Sequence, residues 1–415
     1  MRMYSAACWV NSFLLVAAVA ALAPQRIAAQ PPASPASTCA QPLPQPVMTF
    51  PMVGGVYHPT PTRDGCWVFF AFSNREKASG IAALRRTAQG FEEVRTVPVF
   101  VTPLGLGGLA LSGDQKLLIA SYGQELTFID VEKFTSGIGE PLLGRITSPR
   151  LSATFGLTIS PDDKYAFAVQ RGTAWIAVVD LEKARTSGVN QAALIGGVPT
   201  GVQPLMSAVS PDGRYLFSTS IRAPDVIGGP RSCNNGTAFE GAIQITDVQR
   251  AVTNPADATV GFAVPAGCSP NAVTVSPDGA RLSNTAAGDI YNPSTPAAEN
   301  ALIVFDARPI HAGKPAMVVG KVPVPKGPIA IVDTGTKLVL GFFGQPGTPD
   351  NMQKARLIVV DPAKVASGEA AILGRLPVTA GQLSLSADRR VLYGGGGMGL
   401  VVVDLELASL EPYVR

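Results

Sequence analysis

The chain has 415 residues, of which 46% are hydrophobic, 15% charged and 7% aromatic, with 43 Gly, 36 Pro and a formal net charge of +3. So little charge and so many turn formers exclude coiled coils and long-helix proteins, and the apolar content excludes disorder. What remains is a large chain of short apolar runs and frequent turns, which favours an all-β domain.

A mean hydropathy of +0.24 raises the question of a membrane span first. Phe13–Ala23 is a run of eleven apolar residues preceded by Arg2. A spanning helix needs about 20 residues, whereas a signal-peptide core needs roughly 7 to 15 and a small-residue cleavage site. Ile27-Ala28-Ala29 before Gln30 supplies that site, so residues 1–29 read as a secretory signal and the mature chain as one without a membrane span. Its removal takes away Arg2 and Arg26 and no acid, lowering the formal charge from +3 to +1. A nearly neutral chain carries no electrostatic footprint for nucleic acid and no polybasic membrane patch. Residues 30–44 read as a Pro-rich extended linker, and residues 45–415 as one domain.

Within that domain one eight-residue pattern recurs. It appears as Ile159-Ser-Pro-Asp-Asp-Lys-Tyr-Ala166, Val209-Ser-Pro-Asp-Gly-Arg-Tyr-Leu216 and Val275-Ser-Pro-Asp-Gly-Ala-Arg-Leu282. Weaker copies begin at Pro61, Leu111 and Leu385, and the poorest runs from Ile331 to Leu338. The seven Asp positions fall at 64, 114, 162, 212, 278, 334 (Thr in that copy) and 388. After each copy from the second onward comes an apolar strand ending in Asp: Asp130, Asp180, Asp247, Asp306, Asp361 and Asp404. In the first copy Arg85 takes that place.

Ser-Pro-Asp-Gly suits a tight turn, because Pro presets φ, Asp bonds neighbouring amides and Gly accepts φ > 0. Each repeat therefore reads as strand a, tight turn, strand b, loop, strand c, turn at Asp, strand d. Four antiparallel strands repeated every fifty-odd residues predict a single seven-bladed β-propeller. The recurring Asp residues read as turn caps.

The S-P-D-G hairpin, a strand such as Arg214-Tyr-Leu-Phe-Ser218 and a strand ending V-V-D resemble the YVTN-type repeats of bacterial seven-bladed propellers. The resemblance covers about residues 45–415. It implies the fold and leaves function open, since such repeats occur in surface proteins, electron-transfer partners and lactonase-like proteins. Pro270-Asn271 followed by Ser276-Pro-Asp-Gly279 resembles a stretch of the calcium-dependent gluconolactonase family, in which the Asn binds the metal. That family has six blades, and its next ligand position, an Asp, is Ala286 here. No metal or other cofactor is expected.

Ring closure is expected from residues 45–52, which precede the first blade and can supply the outer strand of the last. The alternative is that Glu411–Arg415 completes that blade. Beyond Cys8, in the signal, the cysteines are Cys39, Cys66, Cys233 and Cys268. No CxxC motif or Cys/His cluster exists, and the only histidines are His58 and His311. In an exported chain four cysteines suggest disulfides, with three pairings open. A blade places its a–b and c–d turns on one face and its b–c and d–a loops on the other. Cys39 and Cys66 then share the first face and Cys233 and Cys268 the second, which selects Cys39–Cys66 and Cys233–Cys268.

Blade lengths point to a working surface. From the a–b Asp position to the strand-c Asp there are 16, 18 and 16 residues in blades 2, 3 and 7, but 35, 28 and 27 in blades 4, 5 and 6. Three consecutive blades thus carry long b–c loops on one face. The candidate ligand-binding residues there are Arg222, Asp225, Arg231, Asn271, Tyr291, Phe343, Gln345 and Gln382, with Phe342 on the same rim. Such a rim suits a polar ligand or a protein partner. The expectation is an exported, monomeric, non-catalytic binding or scaffold protein; the alternative is a lactonase-like hydrolase acting in the central funnel.

Overall fold

In the computed structural model the described residues are 43–52, 55–74, 78–99, 107–229, 231–233, 238–288, 299–325, 327–342, 356–396 and 399–413. They begin with β1 (Val47–Phe50). Blade 1 is β2 (Gly55–Pro61), β3 (Trp67–Asn74), β4 (Ala78–Thr87) and β5 (Gly90–Pro98). Blade 2 is β6 (Leu109–Leu111), β7 (Leu117–Tyr122), β8 (Glu125–Asp130) and β9 (Leu142–Thr147). Blade 3 is β10 (Thr154–Ile159), β11 (Tyr165–Gln170), β12 (Trp175–Asp180) and β13 (Leu194–Pro199). Blade 4 is β14 (Val202–Val209), β15 (Tyr215–Arg222), β16 (Ala242–Asp247) and β17 (Thr259–Ala263). Blade 5 is β18 (Pro270–Val275), β19 (Arg281–Ala287), β20 (Asn300–Asp306) and β21 (Met317–Pro323). Blade 6 is β22 (Pro328–Asp333), β23 (Leu338–Phe342), β24 (Arg356–Val360) and β25 (Ile372–Thr379). Blade 7 has β26 (Gln382–Leu385), β27 (Val391–Gly396) and β28 (Gly399–Asp404), and β1 is its fourth strand. The fold is an all-β, seven-bladed propeller of four-stranded antiparallel blades.

Closure comes from the N-terminal side. β1 pairs antiparallel with β28, from Val47 opposite Val403 to Phe50 opposite Leu400. The C-terminal segment goes to the neighbouring blade instead: Glu411 exchanges two backbone hydrogen bonds with Arg375 on β25, at 2.9 and 2.8 Å. The first strands of the blades contact one another in sequence around the ring, from β2 through to β26 and back to β2, so they line the axis.

The turns show why the repeat is written as it is. In blade 3 the Ser160 hydroxyl donates to Asp162 at 2.6 Å and accepts the Tyr165 N–H at 3.0 Å, while the Asp162 carboxylate accepts the Lys164 N–H. The same set recurs at Ser112, Ser210, Ser276 and Ser386. Asp at the end of strand c is also a cap. Asp130, Asp180 and Asp247 accept the N–H of Lys133, Lys183 and Arg250 at the start of α1 (Val131–Ser136), α2 (Leu181–Thr186) and α3 (Val248–Thr253). The c–d connection in these blades is thus a short helix rather than the bare turn that the sequence suggests, because a side-chain acceptor at the cap stabilises its first turn. The recurring carboxylates are engaged in holding turns.

Packing is between blades. Seven clusters of buried apolar side chains lie among the described residues, each formed by two adjacent blades. Phe217 and Ile245 of blade 4 meet Ala301 and Phe305 of blade 5 in one of them. Strands b and c are covered on both sides, which is why they read as continuous apolar runs such as Trp175-Ile-Ala-Val-Val.

Candidate functional site

The blade 4 insertion is held in a defined shape. Cys233 and Cys268 form a disulfide that joins the loop after β15 to the connection leading into β18. Two short antiparallel bridges, Ser232 with Phe239 and Glu240 with Cys268, lie beside it. The Glu240 N–H donates to the Arg231 carbonyl at 2.8 Å, and Ala223 N–H donates to the Glu240 carbonyl at 3.0 Å. Cys66 is disulfide-bonded too; Cys39, its predicted partner, lies outside the described residues.

Five of the eight predicted ligand-binding residues can be placed. Arg222 ends β15, with its guanidinium 4.0 Å above the Phe239 ring. Its buried Nε has no hydrogen-bond partner among the described residues. Asp225 opens the short turn Asp225–Ile227 and is exposed, as is Arg231. These three belong to one surface. Asn271 and Gln382 stand instead on the axial strands β18 and β26, half-buried, and the Asn271 carbonyl accepts the Thr219 hydroxyl at 2.6 Å. Tyr291, Phe343 and Gln345 lie outside the described residues. Phe342, expected on the rim, is in the core at 1% exposure, because it closes β23 with its side chain between blades 5 and 6.

The b–c face carries one group that composition and spacing did not single out. Glu299, immediately before β20, is 5% exposed, and neither carboxylate oxygen has a hydrogen-bond partner among the described residues. A buried carboxylate lacking partners is costly unless something donates to it. Among the described residues no three His, Cys, Asp or Glu side chains converge as metal ligands.

His58 and His311 are apart. His311 sits on the turn face, edge-on to Tyr215 at 5.4 Å and 3.7 Å from the Asp212 carboxylate. His58 lies within β2 at φ 48°, and burial of its imidazole lowers its pKa to about 4 although the residue keeps some exposed surface.

A cavity of about 300 Å³ opens at the turn-face end of the axial strands of blades 5, 6 and 7. Thr274, Val332, Asp333, Leu385, Ser386 and Arg389 line it. None of the predicted ligand-binding residues does. The sequence signal for this place was the pair of departures from Ser-Pro-Asp-Gly: Asp333 where Pro is usual and Arg389 where Gly is usual.

No family model and no curated protein matches the chain. Among solved structures, a chain of the Kuenenia stuttgartiensis hydrazine synthase structure is similar, at 17% identity and a TM-score of 0.61. The match covers 86% of this chain and 97% of that one. A likeness at that identity concerns the fold alone.

Proposed function

We propose that the chain is an exported, non-catalytic binding propeller of the YVTN-repeat type, working through the b–c face of blades 4 to 6. The observation that carries this reading is the braced insertion of blade 4, in which the Cys233–Cys268 disulfide fixes the loop that presents Arg222, Asp225 and Arg231. A loop held in shape before binding loses less conformational entropy on complex formation. The stacked Arg222 guanidinium and the buried Glu299 carboxylate add a donor and an acceptor on the same side of the ring. Export is supported by the apolar run 13–23 and by disulfide bonding, which belongs to oxidising compartments.

The test is a thermal-shift panel of polar small molecules, short peptides and lactones on the oxidised protein and on Arg222→Ala. A compound that raises the wild-type Tm, is recovered unchanged and has no effect on the variant supports the reading. Turnover of a lactone would overturn its non-catalytic part.

A further inference from the structure

The fourth residue of every a–b turn is in the left-handed region: Gly65, Gln115, Asp163, Gly213, Gly279, Gly335 and Arg389, with φ between 58° and 100°. Glycine adopts this conformation without steric cost, whereas other residues are strained there. At two of the three non-glycine positions the side chain holds the preceding turn. Gln115 Oε1 accepts the Arg63 N–H at 2.7 Å, and the Asp163 carboxylate accepts the N–H groups of Gly113 and Asp114 at 2.5 and 2.7 Å.

Arg389 differs. Among the described residues its guanidinium makes one hydrogen bond, a long one from Nη1 to the Asp333 carbonyl at 3.4 Å. A guanidinium has five N–H donors, so most of them are left over. The side chain lines the cavity at the turn-face mouth of the channel. Burial there lowers its pKa from the ordinary value, and the Asp333 charge opposes that shift. The Asp333 carboxylate does not engage the spare donors. It is already held by Arg281, through Nε at 3.0 Å and Nη2 at 2.9 Å, and by the Gly335 N–H at 2.7 Å.

We propose that this cavity binds a small monocarboxylate with a short aliphatic stem, and that Arg389 is the residue that recognises the carboxylate. The planar guanidinium fork matches a carboxylate in two parallel hydrogen bonds. Thr274 brings a hydroxyl to the same cavity, and Val332 and Leu385 give the stem an apolar wall. One spare cation suits a single negative charge. Lys337 of the blade 6 turn reaches the Leu405 carbonyl at 3.1 Å and does not line the cavity, so among the described lining residues a doubly charged phosphate finds no second cation. The carboxylate can belong to a free acid or to a peptide C-terminus. This site lies on the face opposite the blade 4 insertion and does not depend on the function proposed for that face.

Sodium butyrate titrated through the millimolar range at constant ionic strength tests the assignment, read by thermal shift and by ligand-observed saturation-transfer NMR. The controls are butyramide and inorganic phosphate. Arg389→Gly installs the residue that blades 4, 5 and 6 carry at this position, relieving the left-handed strain while removing the guanidinium. Arg389→Lys keeps the charge without the fork. Saturable binding of butyrate to the wild type, at least tenfold weaker binding to Arg389→Gly, an intermediate value for Arg389→Lys and no response to butyramide support the proposal. A dipeptide with a free C-terminus that binds more tightly than butyrate, while its amide does not bind, assigns the peptide source; equal or weaker binding assigns the free acid. Equal butyrate response in wild type and Arg389→Gly, a phosphate response matching butyrate, or no saturable response to either carboxylate source overturns it.

Discussion

The Asp163 carboxylate accepts the Gly113 N–H at 2.5 Å across the boundary between blades 3 and 2. Together with the bond from Asp114, this contact belongs to a pattern that runs along the turn face from blade 1 to blade 6. In blades 1 and 2 the second residue of the turn, Arg63 or Gly113, has an N–H to give, and the next blade offers an acceptor from Gln115 or Asp163. In blades 3, 4 and 5 that residue is Pro, which has no N–H, and the next blade offers glycine. Pro161, Pro211 and Pro277 lie against Gly213, Gly279 and Gly335 in this way. Asp163→Ala removes two charge-assisted bonds at a partly exposed site and keeps the left-handed strain. It is expected to cost about 1–2 kcal/mol in urea unfolding. Asp163→Gly loses the same bonds but relieves the strain, so its midpoint should lie above that of the Ala variant.

His58 gives the fold a pH dependence. Its folded pKa, lowered to about 4 by burial, lies below the ordinary value of 6.5. Between those values the unfolded chain binds more protons than the folded one, so stability falls as the pH drops from 6.5 to 4 and is unaffected by this group above 6.5. The shift corresponds to an upper bound of about 3 kcal/mol, with partial exposure reducing it to about 2. Asn tolerates the left-handed φ of this position better than most residues. His58→Asn is therefore expected to fold and to flatten the slope of Tm against pH in that window; an unchanged slope would place the acid sensitivity elsewhere.

The blade 4 disulfide closes a segment of 35 residues. In the chain-entropy estimate such a loop is worth about 3–4 kcal/mol. The double variant Cys233→Ser, Cys268→Ser should unfold at lower urea by that amount while keeping the propeller's far-ultraviolet circular dichroism. Loss of the native spectrum would mean that the bond is needed to reach the fold rather than to brace one loop.

Asp333 and Arg281 join blades 6 and 5 through a bidentate pair whose carboxylate is fully buried. Asp333→Ala leaves the Arg281 guanidinium without its counter-charge in a half-buried place, for an expected loss of about 3 kcal/mol. The double variant Asp333→Ala, Arg281→Met should recover part of it, because the stranded charge is gone. No recovery would show that the hydrogen bond to Gly335, not the ion pair, is the larger contribution.

The ring was legible because its turns are chemically distinctive. Ser, Pro, Asp and Gly each act locally, so Ser210-Pro-Asp-Gly213 announces its hairpin without help from the rest of the chain. The poorest copy, Ile331–Leu338, was hard to read for a tertiary reason: Asp333 occupies the Pro position because Arg281 of the preceding blade holds it. The short helices after Asp130, Asp180 and Asp247 were hidden by their length, since six residues are too few for a periodic pattern to emerge. Phe342 was misplaced because its position beside a long loop says nothing of the direction of its side chain, which register alone sets. Arg389 carries no signal by itself; it stands out only when the seven turns are aligned and the Gly position is compared across them.

The function proposed here rests on the b–c face of blades 4 to 6 being the working surface. The decisive measurement is hydrogen exchange of the Arg389→Gly protein, whose turn-face cavity lacks its guanidinium, with and without a compound that raises the wild-type Tm but not that of Arg222→Ala. Slowed exchange is expected in residues 223–240 and 264–270, with unchanged exchange in the a–b turns. Slowing confined to the turn face, or spread evenly over all blades, would contradict it.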